Sequence, residues 1–251
     1  KYIDDFAFAG SAVGKINLEN VDYIDGNAFE GCARLTTVTL TAEVVYSKAF
    51  LNCTGLEEIK LDGTKFINMY VFQGCTSLKH VTVPASVIAL KNEAFRDCTG
   101  LETAEVNVGN LNGTVSSSGT AGNGWFKGCT SLKTVTFADG LLRLENYLFE
   151  GCTSLTTIKL PATLQRLSAG YGAFKNCTSL VSLTIPAGVT AIENNEFVGC
   201  ASLKEIIFEG SVTKIGNASF DGCAALDTID LSQVNSVGNN AFRDCAALEY
   251  V

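Results

Sequence analysis

The stretch Ala94-Phe95-Arg96-Asp97-Cys98-Thr99-Gly100-Leu101 decides how this chain folds. Its apolar residues fall at the first, second, fifth and eighth places, a spacing that puts them on one face of a short helical turn. The core of this stretch, Phe-x-x-Cys-x-x-Leu, occurs with all 10 cysteines of the chain. A motif that recurs at a near-constant interval predicts a body of stacked copies of one structural unit.

The motif copies define the predicted core. One coil of this size cannot cover its own apolar stripe, so we expect its phenylalanine and cysteine to be buried against the coils before and after it. The predicted core phenylalanines are Phe29, Phe50, Phe72, Phe95, Phe126, Phe149, Phe174, Phe197, Phe220 and Phe242. The predicted core cysteines are Cys32, Cys53, Cys75, Cys98, Cys129, Cys152, Cys177, Cys200, Cys223 and Cys245. A further, degenerate copy opens the chain at Phe8, with Ser11 in the place of cysteine.

The residues after each motif change rhythm. Apolar residues alternate there, as at Ile158 and Leu160, which is the period of a half-buried strand. Successive cysteines lie 21 to 25 residues apart, except for a gap of 31 between Cys98 and Cys129. This period falls in the range of leucine-rich repeats. We therefore predict a β-rich α/β fold over residues 1–251: a single right-handed leucine-rich-repeat solenoid of about eleven coils of about 23 residues, with short parallel strands and short helical turns.

The long gap contains a Gly- and Ser-rich insertion at residues 109–124. Such a segment is either a mobile excursion or a specific binding loop. The candidate binding-loop residues are Asn110, Asn112, Val115, Ser117 and Trp125. Trp125 also occupies the alanine place before Phe126, so core packing explains it equally well. The chain lacks an initial methionine and stops within a coil, which predicts a fragment of a longer protein.

Composition argues against several classes of function. A net charge of −8 and a pI near 4.7 disfavour nucleic acid as a partner. No apolar run approaches the roughly 20 residues of a transmembrane helix. The lone His80 and the lack of any Cys-x-x-Cys pair disfavour a metal site and histidine-dependent catalysis. We therefore predict no enzyme activity, no cofactor and no metal.

The cysteines allow two interpretations. They could form five disulfides, or they could form a ladder of free, packed thiols that behave as small hydrophobes. In parallel coils the Cβ atoms would lie about 4.8 Å apart, which is longer than the roughly 3.5 to 4.5 Å of a disulfide. Ser11 in the first copy also suits a small buried position better than a cross-link. These observations favour free thiols.

The repeat resembles the BspA-type, or Treponema pallidum-type, leucine-rich-repeat family. The resemblance rests on stretches such as Ala173-Phe174-Lys175-Asn176-Cys177-Thr178-Ser179-Leu180, followed by Leu183, Ile185 and Pro186. It implies a secreted or bacterial cell-surface protein that adheres to host proteins or other cells. It assigns no functional residue, because the family motif is structural. The chain departs from the pattern in Ser11, in its few prolines and in the gap after Cys98.

The outward strand positions form the candidate binding face: Lys60, Thr82, Glu105, Thr136, Lys159 and Thr184. Threonine suits an exposed strand without any binding role, so this face is either ordinary solvated sheet or a broad docking surface. We predict a non-catalytic module that binds a protein or glycan partner. The alternative is a structural spacer whose binding or anchoring resides in flanking domains. End-to-end self-association through the final coil is a third possibility.

Overall fold

The computed structural model describes residues 1–109 and 123–251. The chain winds into a β-solenoid of about ten turns, one between each motif phenylalanine and the next. The strands of the described residues are β1 (Tyr2–Ile3), β2 (Tyr23–Ile24), β3 (Thr37–Thr39), β4 (Val44–Val45), β5 (Glu58–Lys60), β6 (Phe66–Ile67), β7 (His80–Val83), β8 (Ala89–Leu90), β9 (Thr103–Val106), β10 (Thr134–Phe137), β11 (Ser182–Ile185), β12 (Ala191–Ile192), β13 (Glu205–Phe208), β14 (Lys214–Ile215) and β15 (Ser236–Val237). Every pairing among them is parallel.

These strands form two rows along the stack. The first row follows the motif leucines and contains β3, β5, β7, β9, β10, β11 and β13. Its register sets equivalent residues side by side, as where Ala104 of β9 lies between Val81 of β7 and Val135 of β10. The second row contains the two-residue strands β1, β2, β4, β6, β8, β12, β14 and β15. The alternation after each leucine predicted the first row, whereas the second row was not predicted.

The first row is not continuous. Its strands pair in three groups, β3 with β5, β7 with β9 and β10, and β11 with β13. Between β10 and β11, residues 156–160 form no strand, although Ile158 and Leu160 carry the same apolar pattern as their neighbours. The row is therefore interrupted at this coil and again between β5 and β7.

The prediction of short helical turns is wrong, because the described residues contain no helix. In the motif segment, successive backbone N–H groups instead donate alternately to the next coil and to their own coil. The N–H of Phe29 donates to Ala49 of the next coil at 2.7 Å, whereas the N–H of Glu30 closes a turn onto Asn27 at 3.0 Å. An α-helix would direct every donor four residues back along its own chain. Here alternate donors point along the stack, so the segment becomes a series of turns tied to the next coil.

Left-handed backbone residues make this alternation possible. Asn27, two places before Phe29, has φ of 56°, and Gly31, two places after it, has φ of 70°. This conformation is open to glycine and tolerated by Asn and Asp. The residue two places after the motif phenylalanine is one of these three types in every copy: Gly10, Gly31, Asn52, Gly74, Asp97, Gly128, Gly151, Asn176, Gly199, Gly222 and Asp244.

The motif phenylalanines form one continuous column through the molecule. Neighbouring rings are stacked with centroids 5.0 to 6.1 Å apart. The motif phenylalanines and cysteines from Phe29 and Cys32 through Phe220 and Cys223 are all fully buried. Phe242 and Cys245 are only half-buried. The described part of the chain has no helix that could span a bilayer.

Candidate functional site

The cysteines form a hydrogen-bonded ladder rather than a reactive site. All 10 are free, as predicted, and each thiol donates to the carbonyl of the motif phenylalanine in the preceding coil. Cys98 Sγ, for example, lies 3.1 Å from the carbonyl oxygen of Phe72. Burial raises the pKa of the Cys98 thiol to about 12. Because the thiolate is the nucleophile, such a group is inert near neutral pH.

The thiol ladder corrects one detail of the sequence interpretation. These cysteines are not simply small hydrophobes, because each supplies a directed hydrogen bond that fixes the spacing between two coils. Ser11 continues the ladder at its first rung, with its hydroxyl oxygen 3.5 Å from Cys32 Sγ. Both side chains are small and carry a donor, which no apolar residue could supply.

The candidate binding face points outward. Five of its six predicted residues are exposed: Lys60, Glu105, Thr136, Lys159 and Thr184. Thr82 is only partly exposed, because its hydroxyl lies 3.0 Å from His80 Nε2 and donates to a Glu105 carboxylate oxygen at 3.3 Å. The structure therefore places these residues on one surface. Their role in binding stays a prediction.

His80 ties two strands of this face together. Its Nδ1 lies 2.6 Å from the hydroxyl of Thr103 on β9, and its Nε2 contacts Thr82 on its own strand. Both ring nitrogens are thereby occupied by threonine hydroxyls. No cysteine or serine lies among these partners, so the arrangement is a cross-strand link rather than a nucleophile with its base.

A groove crosses the face where the first row is interrupted. It consists of two adjoining cavities of about 620 and 640 Å³ that share Val135, Thr136, Thr157, Ile158 and Lys159. We call this feature the strand groove. Its walls are β10 on one side and β11 on the other, and residues 156–160 run along its floor. The predicted face residues Thr136, Lys159 and Thr184 all line it.

The main chain in the strand groove lacks its usual partners. Among the described residues, only one backbone hydrogen bond joins this segment to the next coil, from the N–H of Val181 to the carbonyl of Thr156 at 3.0 Å. The N–H groups of residues 157–160 donate to no described residue. In the paired coils, the corresponding groups belong to ladders such as Thr134–Phe137 with Thr103–Val106. Groups left out of a ladder form a free strand edge.

Phe137 explains why the coils part at this place. The register sets Phe137 beside Val106, which is itself beside Val83, so a phenylalanine stands where the earlier coils carry valine. Its ring packs edge-on against Phe149 with centroids 6.3 Å apart. The column spacing between Phe126 and Phe149 is 6.1 Å, the largest along the stack. We attribute the missing strand pairing to this bulkier side chain.

Charge is unevenly distributed along the strand groove. Lys133 lines the end where β10 begins. Asp139 and Glu209 line the opposite end, beyond the ends of β10 and β13. Lys159 lies between them and has no ion-pair partner among the described residues, whereas Lys133 Nζ lies 2.9 Å from a Glu102 carboxylate oxygen. The strand groove thus has a basic end and an acidic end.

A smaller cavity marks the other interruption. It has a volume of about 450 Å³ and lies between β5 and β7, where Lys60, His80 and Thr82 contribute to its lining. Three carboxylates, Glu57, Glu58 and Asp62, also line it, and Lys60 Nζ lies 3.5 Å from Glu58. Lys60 and Glu58 thus already pair with each other on β5.

The described residues include only part of the proposed binding loop. Asn110, Asn112, Val115 and Ser117 lie outside the described residues. Trp125 is buried, with 1% of its surface exposed, and its carbonyl accepts the N–H of Phe95 at 3.0 Å. A side chain buried in this way cannot contact a partner, so Trp125 belongs to the core. Its assignment to a binding surface is corrected.

One buried carboxylate was missed by sequence reasoning. Glu196 is fully buried, accepts a hydrogen bond from the Ser168 hydroxyl, and accepts the N–H of Ala173 at 3.0 Å. Burial raises the pKa of Glu196 to about 7, and these two donors oppose that rise. The contacts brace the longer coil between Cys152 and Cys177. Its length of 25 residues was the one available signal.

The described residues hold no group of three or more His, Cys, Asp or Glu side chains that could bind a metal ion. The absence of a cofactor stays a prediction. In the part of the chain that the structure describes, exposed side chains and unpaired main-chain groups meet at the strand groove.

The architecture is that of a leucine-rich-repeat solenoid. The family model for the BspA-type leucine-rich repeat region matches residues 1–102 and 119–249, with six copies. The chain therefore belongs to the BspA-type leucine-rich-repeat family, which confirms the resemblance drawn from its motif. The members of this family are repeat scaffolds, and no curated protein matches the chain.

Solved structures share the fold. A leucine-rich repeat protein from Bacteroides ovatus is 26% identical, with a TM-score of 0.61 over 100% of this chain and 75% of that protein. The pneumococcal vaccine antigen PcpA is 19% identical, with a TM-score of 0.56 over 100% of this chain and 71% of its own. A leucine rich cell surface protein from Faecalibacterium prausnitzii is 24% identical, covers 100% of this chain and 82% of its own, and has a TM-score of 0.46.

Proposed function

We propose that this chain is a non-catalytic protein-binding module of an exported or bacterial cell-surface protein, and that its partner docks on the strand face around the strand groove. The observation that carries this proposal is the groove itself. It combines exposed Thr136, Lys159 and Thr184 side chains with a main-chain segment that has lost its strand partners. Rigid, repeated scaffolds present such extended surfaces to other proteins.

Two features support export and adhesion. The BspA-type family resemblance implies a surface role. The thiols are compatible with an oxidising exterior, because every one from Cys32 to Cys223 is fully buried and its hydrogen is engaged by a carbonyl. A chain with ten accessible thiols would instead cross-link outside the cell.

Binding is tested with purified protein and an array of host extracellular-matrix and mucosal proteins. We expect specific capture that is weakened by the charge reversals Lys60→Glu, Glu105→Lys and Lys159→Glu. Lys214→Glu on β14 is the matched control, because it reverses an exposed lysine in the second row. Circular dichroism of each variant establishes that the solenoid is intact. Capture that is equally strong in all face variants would contradict the proposal.

A deletion of residues 110–122 tests the loop separately. Residues 123 and 124 are kept, because the carbonyl of Asn123 accepts the N–H of Glu93 and the N–H of Gly124 donates to Asn146. Loss of capture only in this deletion would assign binding to the loop. No capture by any form would favour the structural spacer, a role that the unbroken phenylalanine column also suits.

A further inference from the structure

We propose that the strand groove binds an extended polypeptide segment of a partner protein by main-chain hydrogen bonding, with an acidic side chain at the segment's Lys133 end and a basic side chain at its Asp139 end. This inference rests on the proposed function and specifies the chemistry of its partner. The occupant would run alongside residues 156–160 and complete the first row at the coil where it is interrupted.

The first argument is that main-chain groups along the strand groove lack hydrogen-bond partners. Parallel strands direct the donors and acceptors of successive residues to opposite neighbours. The N–H groups of Thr134 and Ala138 donate to the carbonyls of Glu102 and Val106, so by this alternation the main-chain groups of Val135 and Phe137 face the strand groove. The N–H groups of residues 157–160 have no described partner either. An extended backbone is the ligand that matches such an edge along its whole length.

The second argument is the shape of the opening. Together its two cavities extend from Lys133 and Ser154 at one end to Asp139 and Ala162 at the other. An extended peptide of five residues spans about 16 Å, the length of the strands that form the walls and their flanking turns. Ile158 and Pro161 are buried beneath the opening, whereas Thr136, Thr157 and Thr184 stand exposed around it. Small apolar and hydroxyl side chains on the peptide would match this lining.

The third argument is charge complementarity. Lys133, which also pairs with Glu102, lies at one end, Asp139 and Glu209 lie at the other, and Lys159 lies between them. Asp139, Glu209 and Lys159 are exposed and form no ion pair with any described residue. A peptide with opposite charges at its two ends satisfies both ends of the strand groove at once. A uniformly acidic or uniformly basic peptide satisfies only one.

The test uses the whole chain and the synthetic peptide acetyl-Glu-Thr-Val-Thr-Val-Lys-amide, measured by isothermal titration calorimetry. We expect saturable binding with a Kd in the range of about 10 to 100 μM, typical of a short main-chain ligand. The same peptide with alternate amides N-methylated should bind about tenfold more weakly, because it loses the donors of its main chain. Hydrogen exchange should show protection of alternate amides among residues 157–160 only with the unmethylated peptide.

Charge exchange tests the assignment of the two ends. The variant Asp139→Lys with Glu209→Lys should weaken binding several-fold, and a peptide with glutamate at both ends should restore it. Asp4→Lys, an exposed carboxylate on the first turn, is the matched control and should leave the affinity unchanged. Restoration by the altered peptide cannot result from a folding defect in the variant.

Three results would overturn the inference: no saturable binding up to about 1 mM, equal affinity of the N-methylated peptide, or protection confined to another coil. Such a failure is distinguishable from failure of the proposed function. If the charge reversals on the face still abolish partner capture, the module binds through side chains alone and the function stands. If both experiments are negative, neither proposal holds.

Discussion

At the scale of single residues, the hydrogen bond from the cysteine thiol to the phenylalanine carbonyl connects neighbouring coils. The carbonyl of Phe126 accepts the N–H of Cys129 at 3.1 Å within its own coil and the thiol of Cys152 at 3.1 Å from the next. Each carbonyl of this kind thus satisfies both of its lone pairs inside the core. The side chain at the cysteine position is selected for its donor as well as for its size.

Substitution at Cys152 separates these two contributions. Cys152→Ala should lower the free energy of unfolding by about 1 to 3 kcal/mol, because it removes the donor and leaves a small cavity. Cys152→Ser should cost less, since a hydroxyl keeps a hydrogen-bond donor at this position. Urea denaturation of the two variants measures the difference. A larger loss in the serine variant would show that the thiol acts only as an apolar filler.

Glu196 should make stability depend on pH. Its pKa of about 7 in the folded protein exceeds its value of about 4.3 in an unfolded chain, so folding favours the protonated form. The folded state then binds more protons between these values, and stability falls as pH rises from about 4.5 to about 7. Glu145, whose pKa burial also raises to about 7, adds to the same trend.

The variant Glu196→Gln isolates this contribution. It should lose less stability than the native chain across that window, and above pH 7 it should be the more stable by an amount on the order of 1 to 3 kcal/mol. Thermal denaturation at pH 4.5 and pH 8 gives the comparison. Glu205→Gln, at an exposed position on β13, serves as the control and should follow the native profile. Parallel profiles for Glu196→Gln and the native chain would refute the assignment.

At the scale of structural elements, the motif segment is a series of turns that are hydrogen-bonded to the next coil. Its glycines differ in how closely other backbone atoms approach them. Gly151 has φ of 77°, and a Cβ there would meet only Gly128 Cα at 3.8 Å. Gly172 has φ of 63°, and a Cβ there would lie 2.2 Å from the carbonyl oxygen of Asn195. Gly151 is constrained only by its left-handed conformation, whereas Gly172 is constrained also by the close approach of the next coil.

Alanine at these two glycines should therefore have unequal effects. Gly151→Ala should cost about 1 to 2 kcal/mol, the strain of a left-handed non-glycine residue. Gly172→Ala should cost about 1 to 3 kcal/mol more, because backbone atoms must move apart. Chemical denaturation of both variants under identical conditions measures the difference. Equal losses would indicate that the turn opens freely away from its neighbour.

At the scale of the whole molecule, stability is distributed along one column of rings. Phe149 is fully buried between Phe126 and Phe174, whereas Phe242 is only half-buried. In a solenoid each coil contacts only its neighbours, so a central defect removes two interfaces and a terminal one removes fewer. The column also gives the strand face its fixed geometry, on which any docking partner depends.

Truncation along the column tests this distribution. Phe149→Ala should cost about 3 to 5 kcal/mol through lost burial and a cavity. Phe242→Ala should cost clearly less, because its side chain is already partly exposed. Equilibrium denaturation gives the totals, and hydrogen exchange shows which coils loosen. A loss below about 1 kcal/mol for Phe149→Ala would contradict the role assigned to the column.

The sequence by itself determined the repeat, the family, the buried identities of the phenylalanines and cysteines, and the first row of strands apart from residues 156–160. These follow from which side chains recur at which spacing, and burial of a recurring apolar residue needs no knowledge of its neighbours' exact positions. The outward placement of Lys60, Glu105 and Lys159 followed from the same alternation. Even the left-handed turns had a signal in the Gly, Asn or Asp two places after each phenylalanine.

Only the tertiary structure decided how the coils are joined. The segments predicted as helical turns are turns that are hydrogen-bonded to the next coil, and each thiol donates to a carbonyl one coil away. Glu196 is buried, and the strand groove lies beside Phe137. All of these depend on the distance between residues more than twenty positions apart in the chain, which local spacing does not specify. A hydrogen bond forms or fails over a few tenths of an ångström, so one bulky side chain or two extra residues in a coil can decide it.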